Sequence, residues 1–76
     1  MRIAGYRFFF SSNAREEPQR IHIEQAERYA IFWLEPIGLA VNVGFRSAEC
    51  SALHAIVNEH RLLFVGKWNE YFGDEG

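Results

Sequence analysis

Cysteine, lysine and methionine occur once each in this chain of 76 residues, and proline occurs twice. The single cysteine, Cys50, excludes an internal disulfide framework and a cysteine-based zinc finger. No apolar run approaches the roughly 18 residues of a membrane span, and Met1 to Tyr6 has no signal-peptide apolar region. The expected setting is the cytoplasm, with no membrane partner. There is no glycine-rich phosphate loop, no carboxylate pair at metal-binding spacing and no serine elbow. A basic excess is also missing: the net charge is −2, where a generic nucleic-acid binder is strongly basic.

Aromatic residues are plentiful: seven Phe, three Tyr and two Trp, in a chain that is 49% hydrophobic. That richness excludes a disordered tail. It also suits one small domain spanning 1–76, because a chain this short buries only about 60% of its unfolded surface and needs a dense core. Seven of the eight cations are Arg, the side chain suited to planar contacts with carboxylates or phosphates and to stacking on rings. Residues 1–46 carry +1 and residues 47–76 carry −3.

Residues 1–46 read mainly as strands and loops. Arg2 to Ser11 is an aromatic strand whose period of two puts Tyr6, Phe8 and Phe10 on one face, with Arg7 and Phe9 on the other. Residues 11–19 are polar and read as a loop. Arg20 to Glu24 alternates, with Ile21 and Ile23 inward and Arg20, His22 and Glu24 outward. A turn over Gln25-Ala26-Glu27 leads to a third strand, Arg28 to Leu34, which is apolar on both faces and stops at Pro36. Leu39 to Val43 is a short fourth strand.

Residues 47–73 read as helical. Ser47 is the expected N-cap and Glu49 favours the positive end of the helix dipole. Leu53, Val57, His60, Phe64, Trp68 and Tyr71 recur at helical spacing, and Gly73 is a ready C-terminal cap. One helix across this span would be about 39 Å long and would overhang so small a sheet. A break between Asn58 and Arg61 is therefore expected. The fold class is α+β: a three- to four-stranded, mainly antiparallel sheet with one broken or two C-terminal helices packed on it. Its expected core is Tyr6, Phe8, Phe10, Ile21, Ile23, Ile31, Trp33, Leu53, Ile56, Val57, Phe64 and Trp68.

Cys50 and His54 stand one helical turn apart, but no third residue orients them as a nucleophile and base. His54 and His60, six apart, do not share a metal-binding face. No residue is assigned a catalytic role, and no metal or cofactor is expected. The more informative cluster is Arg7, Arg20, His22 and Arg28 beside Phe9. Brought together on neighbouring strands, they would suit a phosphate or an acidic peptide. Phe9, Phe32 and Leu34 fall opposite the assigned core, and exposed aromatics beside Arg are typical of interfaces.

The runs Gly5 to Asn13, Glu17-Pro18 with Ile21-His22-Ile23, Ala30 to Pro36, Asn42 to Phe45, Glu59-His60 and Trp68 to Gly73 resemble, in order, the domain of unknown function 4160 family. Its members read Pro-Pro-His-Ile-His-Val where this chain has Pro18 to Ile23. The second histidine is kept as His22 and the first is replaced by Arg20, which neither ligates metals nor acts as a base. The resemblance implies a small bacterial or phage-type protein, often encoded beside another small protein in an arrangement similar to toxin–antitoxin pairs.

The function expected is a non-enzymatic interaction module that binds a protein partner through Arg7, Phe9, Arg20, His22, Arg28 and Phe32, as one half of a regulatory pair. A homodimer is the alternative cover for the surplus apolar surface. A nucleic-acid-binding module on the Arg/His/Phe face is the alternative function. An endoribonuclease or other hydrolase using His22 is a third.

Overall fold

The computed structural model describes residues 1–10 and 19–72. Five strands, β1 (Arg2–Ile3), β2 (Tyr6–Phe9), β3 (Arg20–Gln25), β4 (Arg28–Leu34) and β5 (Ile37–Val43), precede two helices, α1 (Ser47–Glu59) and α2 (Arg61–Phe72). The strands pair in chain order as an antiparallel sheet. The fold is thus α+β as expected, with one more strand than the highest count expected. The expected loop over residues 11–19, apart from Gln19, and the cap at Gly73 lie outside the described residues. No described helix is long and apolar enough to cross a membrane.

The extra strand comes from a turn inside the first apolar run. Ala4 and Gly5 both have positive φ, 54° and 86°, and Ile3 pairs with Tyr6 across them. Positive φ at both central residues gives a two-residue hairpin the twist its strands need, and glycine enters that region without steric cost. The β3–β4 connection is equally tight: Gln25 pairs with Arg28, leaving only Ala26 and Glu27 in the turn.

That two-residue turn decides which face of β4 is buried. Ile21 pairs with Phe32 and His22 with Ile31, so Phe32 shares the face of Ile21. Phe32, Leu34 and Ala30 are fully buried, whereas Ile31 and Trp33 point to the opposite face and are half-buried. The expected assignment of Ile31 and Trp33 to the core, and of Phe32 and Leu34 to the surface, is therefore reversed. A strand apolar on both faces carries no sign of its own, and a slip of one residue exchanges its faces.

Both helices lie on the Phe32 face. Phe8, Ile21, Ile23, Phe32, Leu34, Phe45, Leu53, Val57 and Phe64 form the core. The Phe8 and Phe64 rings stack 5.3 Å apart, and Phe10 meets Trp68 edge-on at 5.7 Å. The chain breaks at His60, between α1 and α2, inside the expected interval. The His60 ring Nδ1–H donates to the Ile56 carbonyl at 3.0 Å.

The N-cap of α1 is Arg46, one residue earlier than expected. The Glu49 carboxylate accepts from the Arg46 backbone N–H at 2.9 Å, satisfying one of the amides a helix start leaves open. Its other oxygen accepts from Arg28 at 2.7 Å. Asn42 fixes the β5–α1 connection by accepting from Phe45 N–H and donating to Phe45 C=O. Gly44, at φ 95°, lets the chain pass Arg28 closely: a Cβ there would stand 2.9 Å from Arg28 Cγ.

Candidate functional site: the uncovered sheet face

With both helices on one side, no described helix or strand lies over the other. Strand alternation places Arg2 of β1, Arg7 and Phe9 of β2, Arg20, His22 and Glu24 of β3, Tyr29, Ile31 and Trp33 of β4, and Val41 and Val43 of β5 on this second face. Four of the six residues expected at the site are brought together here: Arg7, Phe9, Arg20 and His22.

Arg28 and Phe32 are not among them. Both sit on the helix side, by the same one-residue register difference that exchanged the faces of β4. Phe32 is fully buried in the core. Arg28 lies over the Phe45 ring at 5.2 Å and is bound to Glu49 and to the Gln25 side chain. It is a bracket between the sheet and the start of α1, remote from Arg20.

At each end of the uncovered face a guanidinium stacks on a ring. Arg7 lies 4.3 Å over Phe9 and pairs with Glu24 at 3.4 Å; Arg20 lies 5.9 Å from the Trp33 centroid. Guanidinium planes prefer such faces because the ring quadrupole attracts the charge.

His22 lies between them and is only 7% exposed. Its ring sits 5.2 Å from Phe9, and Nδ1 shares a 2.8 Å hydrogen bond with the Tyr29 hydroxyl. Nε2 is buried and has no hydrogen-bond partner among the described residues. Burial, followed by the nearby Arg20 charge, pushes the imidazole below its usual 6.5, and Glu24 opposes this only in part. The ring is therefore neutral near pH 7. The expected cationic Arg-His-Arg cluster becomes two ring-stacked arginines around a neutral histidine, with Arg2 beside Arg7.

Tyr29, Ile31 and Trp33 are the face residues of β4 that sequence reasoning missed, with Val41 and Val43 of β5 beside them. A two-residue turn at Ala26-Glu27 was the signal for all three, because it places Tyr29 opposite Glu24 and Ile31 opposite His22. Cys50 and His54 line a separate shallow cleft of about 380 Å³ on the helix side, with Phe32, Leu39, Ser47 and Ser51. Among the described residues no three His, Cys, Asp or Glu side chains converge as a metal site.

A family model described as a domain of unknown function, DUF4160, matches residues 5–69. The chain belongs to the DUF4160 family. No curated protein and no solved structure matches it. The DUF4160 match runs from the β1–β2 turn into α2, so it contains the residues of the uncovered face on β2 to β5 and leaves out Arg2.

Proposed function

We propose that this DUF4160 chain is a non-enzymatic interaction module whose uncovered sheet face binds a protein partner. The observation that carries the reading is the composition of that face. Phe9, Tyr29, Ile31, Trp33, Val41 and Val43 form an apolar, aromatic surface with Arg7 and Arg20 at its borders. Protein interfaces are enriched in aromatic residues and Arg and depleted of other charged side chains at their centres. Nucleic acid is the less favoured ligand, because phosphate binding draws on a basic excess, whereas the chain carries a net charge of −2 and, of the face's Arg2, Arg7 and Arg20, Arg7 is already paired with Glu24. Proton transfer is not favoured by a histidine whose Nε2 is closed off from solvent. The family resemblance, whose members are often encoded beside another small protein, is the ground for a small, co-encoded protein as the partner, with the two chains forming a regulatory pair.

Capture of partners from the native host, with and without nuclease, tests this reading. Trp33→Ala and Arg20→Ala alter the uncovered face, and Leu62→Lys alters an exposed position on α2. A partner that survives nuclease, is retained by Leu62→Lys and is lost from both face variants supports the proposal. Retention by both face variants, with far-UV circular dichroism unchanged, overturns it.

A further inference from the structure

The two edges of the sheet differ sharply. β1 is two residues long, too short to template another strand. β5, at the other edge, is seven residues long and reads Ile-Gly-Leu-Ala-Val-Asn-Val. It has no charge and no proline, although charged side chains and proline are the usual means by which a free edge avoids pairing. Three of the six large exposed apolar residues in the described structure lie on this one strand: Leu39 (45%), Val41 (39%) and Val43 (55%). Its register shift relative to β4 falls between Leu39 and Val41. Leu39, opposite Phe32, therefore faces the helix side, while Val41, opposite Ile31, faces the uncovered side. Among the described residues this bulge is the edge's one protective feature, and it leaves apolar side chains exposed on both faces.

The geometry points to edge-to-edge pairing of β5 with β5 of a second copy of this chain. A free strand edge presents alternating backbone donors and acceptors, which only another strand satisfies in sequence. An uncharged, apolar strand is the chemistry the edge accepts without burying an unpaired charge, and β5 is itself such a strand. The cleft beside it on the helix side is lined by Leu39, Ser47, Cys50, Ser51 and His54, with no carboxylate, Lys or Arg to repel a copy of itself. Antiparallel pairing of identical edges requires a two-fold axis perpendicular to the sheet. Both helical layers then lie on one side, and both uncovered faces form one continuous surface on the other. With β1 too short to pair, assembly closes at two copies. This pairing concerns the edge and not the centre of the face, and it shares only Val41 and Val43 with the surface proposed to bind a partner.

Sedimentation velocity over a wide concentration range tests it on the full chain. The expected result is a mass that rises from monomer to twice that value and no further, with amide exchange in β5 slowing as the dimer forms. Val41→Lys and Val43→Lys place charge at exposed positions and should give monomers at every concentration with unchanged circular dichroism. Leu62→Lys, on α2, should dimerise like the parent. A wild-type chain that stays monomeric, a dimer undisturbed by both β5 variants, a dimer abolished by Leu62→Lys, or a ladder of larger species would each overturn the inference.

Discussion

Phe32 and Trp33 are neighbours in sequence on opposite faces of β4, so replacing each with Ala measures which face is the core. Phe32 is fully buried among Ile21, Leu53 and Val57. Truncating a buried Phe to Ala typically costs about 3–5 kcal/mol. At roughly 0.05–0.15 kcal/mol per residue, a chain of 76 residues has about 4–11 kcal/mol in total. Phe32→Ala therefore removes at least about a quarter of the stability and, at the lower end of that range, all of it. At about 4–8 °C per kcal/mol for this size, Tm falls by at least about 12 °C. Trp33 is half-buried on the uncovered face. Losing about half of the 1.5–3 kcal/mol that full burial of a large apolar side chain contributes makes Trp33→Ala cost about 0.8–1.5 kcal/mol. Thermal melts followed by circular dichroism, with urea titrations at one temperature, compare the two. If Trp33→Ala proves as damaging as Phe32→Ala, or more so, the β3–β4 register is one residue away from that described here.

His22 gives a pH prediction. Its pKa is lowered in the fold, so below 6.5 the unfolded chain binds more protons than the folded one, and stability falls with pH until the folded value is passed. Above 6.5 this group contributes no slope. Urea midpoints measured from about pH 5 to 7.5 should decline toward the acid side, and His22→Gln should flatten the decline; an identical slope in that variant would refute the assignment. Glu49→Ala should lower the melting temperature by freeing the Arg46 amide and the Arg28 guanidinium, and Arg28→Ala added to it should cost little more. Full additivity in that double-mutant cycle would show that the two side chains are not coupled. Gly44→Ala should destabilise by about 1–2 kcal/mol, through its positive φ and the close approach of Arg28. Gly66→Ala, mid-helix with open space around it, should stabilise by about 0.5–1 kcal/mol. Melts of opposite sign for that pair are the check.

Elements with a one-sided pattern were legible in the sequence. β3 alternates Ile21 and Ile23 with polar neighbours, so its buried face follows from period two. The α2 stripe through Phe64 and Trp68 similarly identifies the residues that meet Phe8 and Phe10. The break at His60 followed from length: a single helix across that span would overhang the sheet. What stayed hidden was set by short-range backbone geometry. Ala4-Gly5 forms a hairpin through two positive φ values, one of them on an alanine, a residue with no turn signature. At α1, Ser47 is the better N-cap by residue type, yet Arg46 takes the position because Glu49 reaches back to its amide.

The candidate site shows how one such detail propagates. Reading the β3–β4 turn as three residues pairs Glu24 with Arg28 and brings Ile31 to the core face. Reading it as two pairs Gln25 with Arg28, which buries Phe32 and releases Ile31 and Trp33. Arg20 and His22 keep their face under either reading, because β3 is polar on one side only. Arg28 and Phe32 do not, and both leave the site together. Tyr29 enters it by the same shift and binds the His22 ring. Burial beside Phe9 and the charge of Arg20 then disfavour the imidazolium. The face that sequence suggested was cationic, with histidine as a fourth positive group, is therefore mainly an aromatic and aliphatic surface with Arg7 and Arg20 stacked at its borders. That change of chemistry weighs against a phosphate backbone, the alternative ligand, and leaves a protein surface as the one we propose.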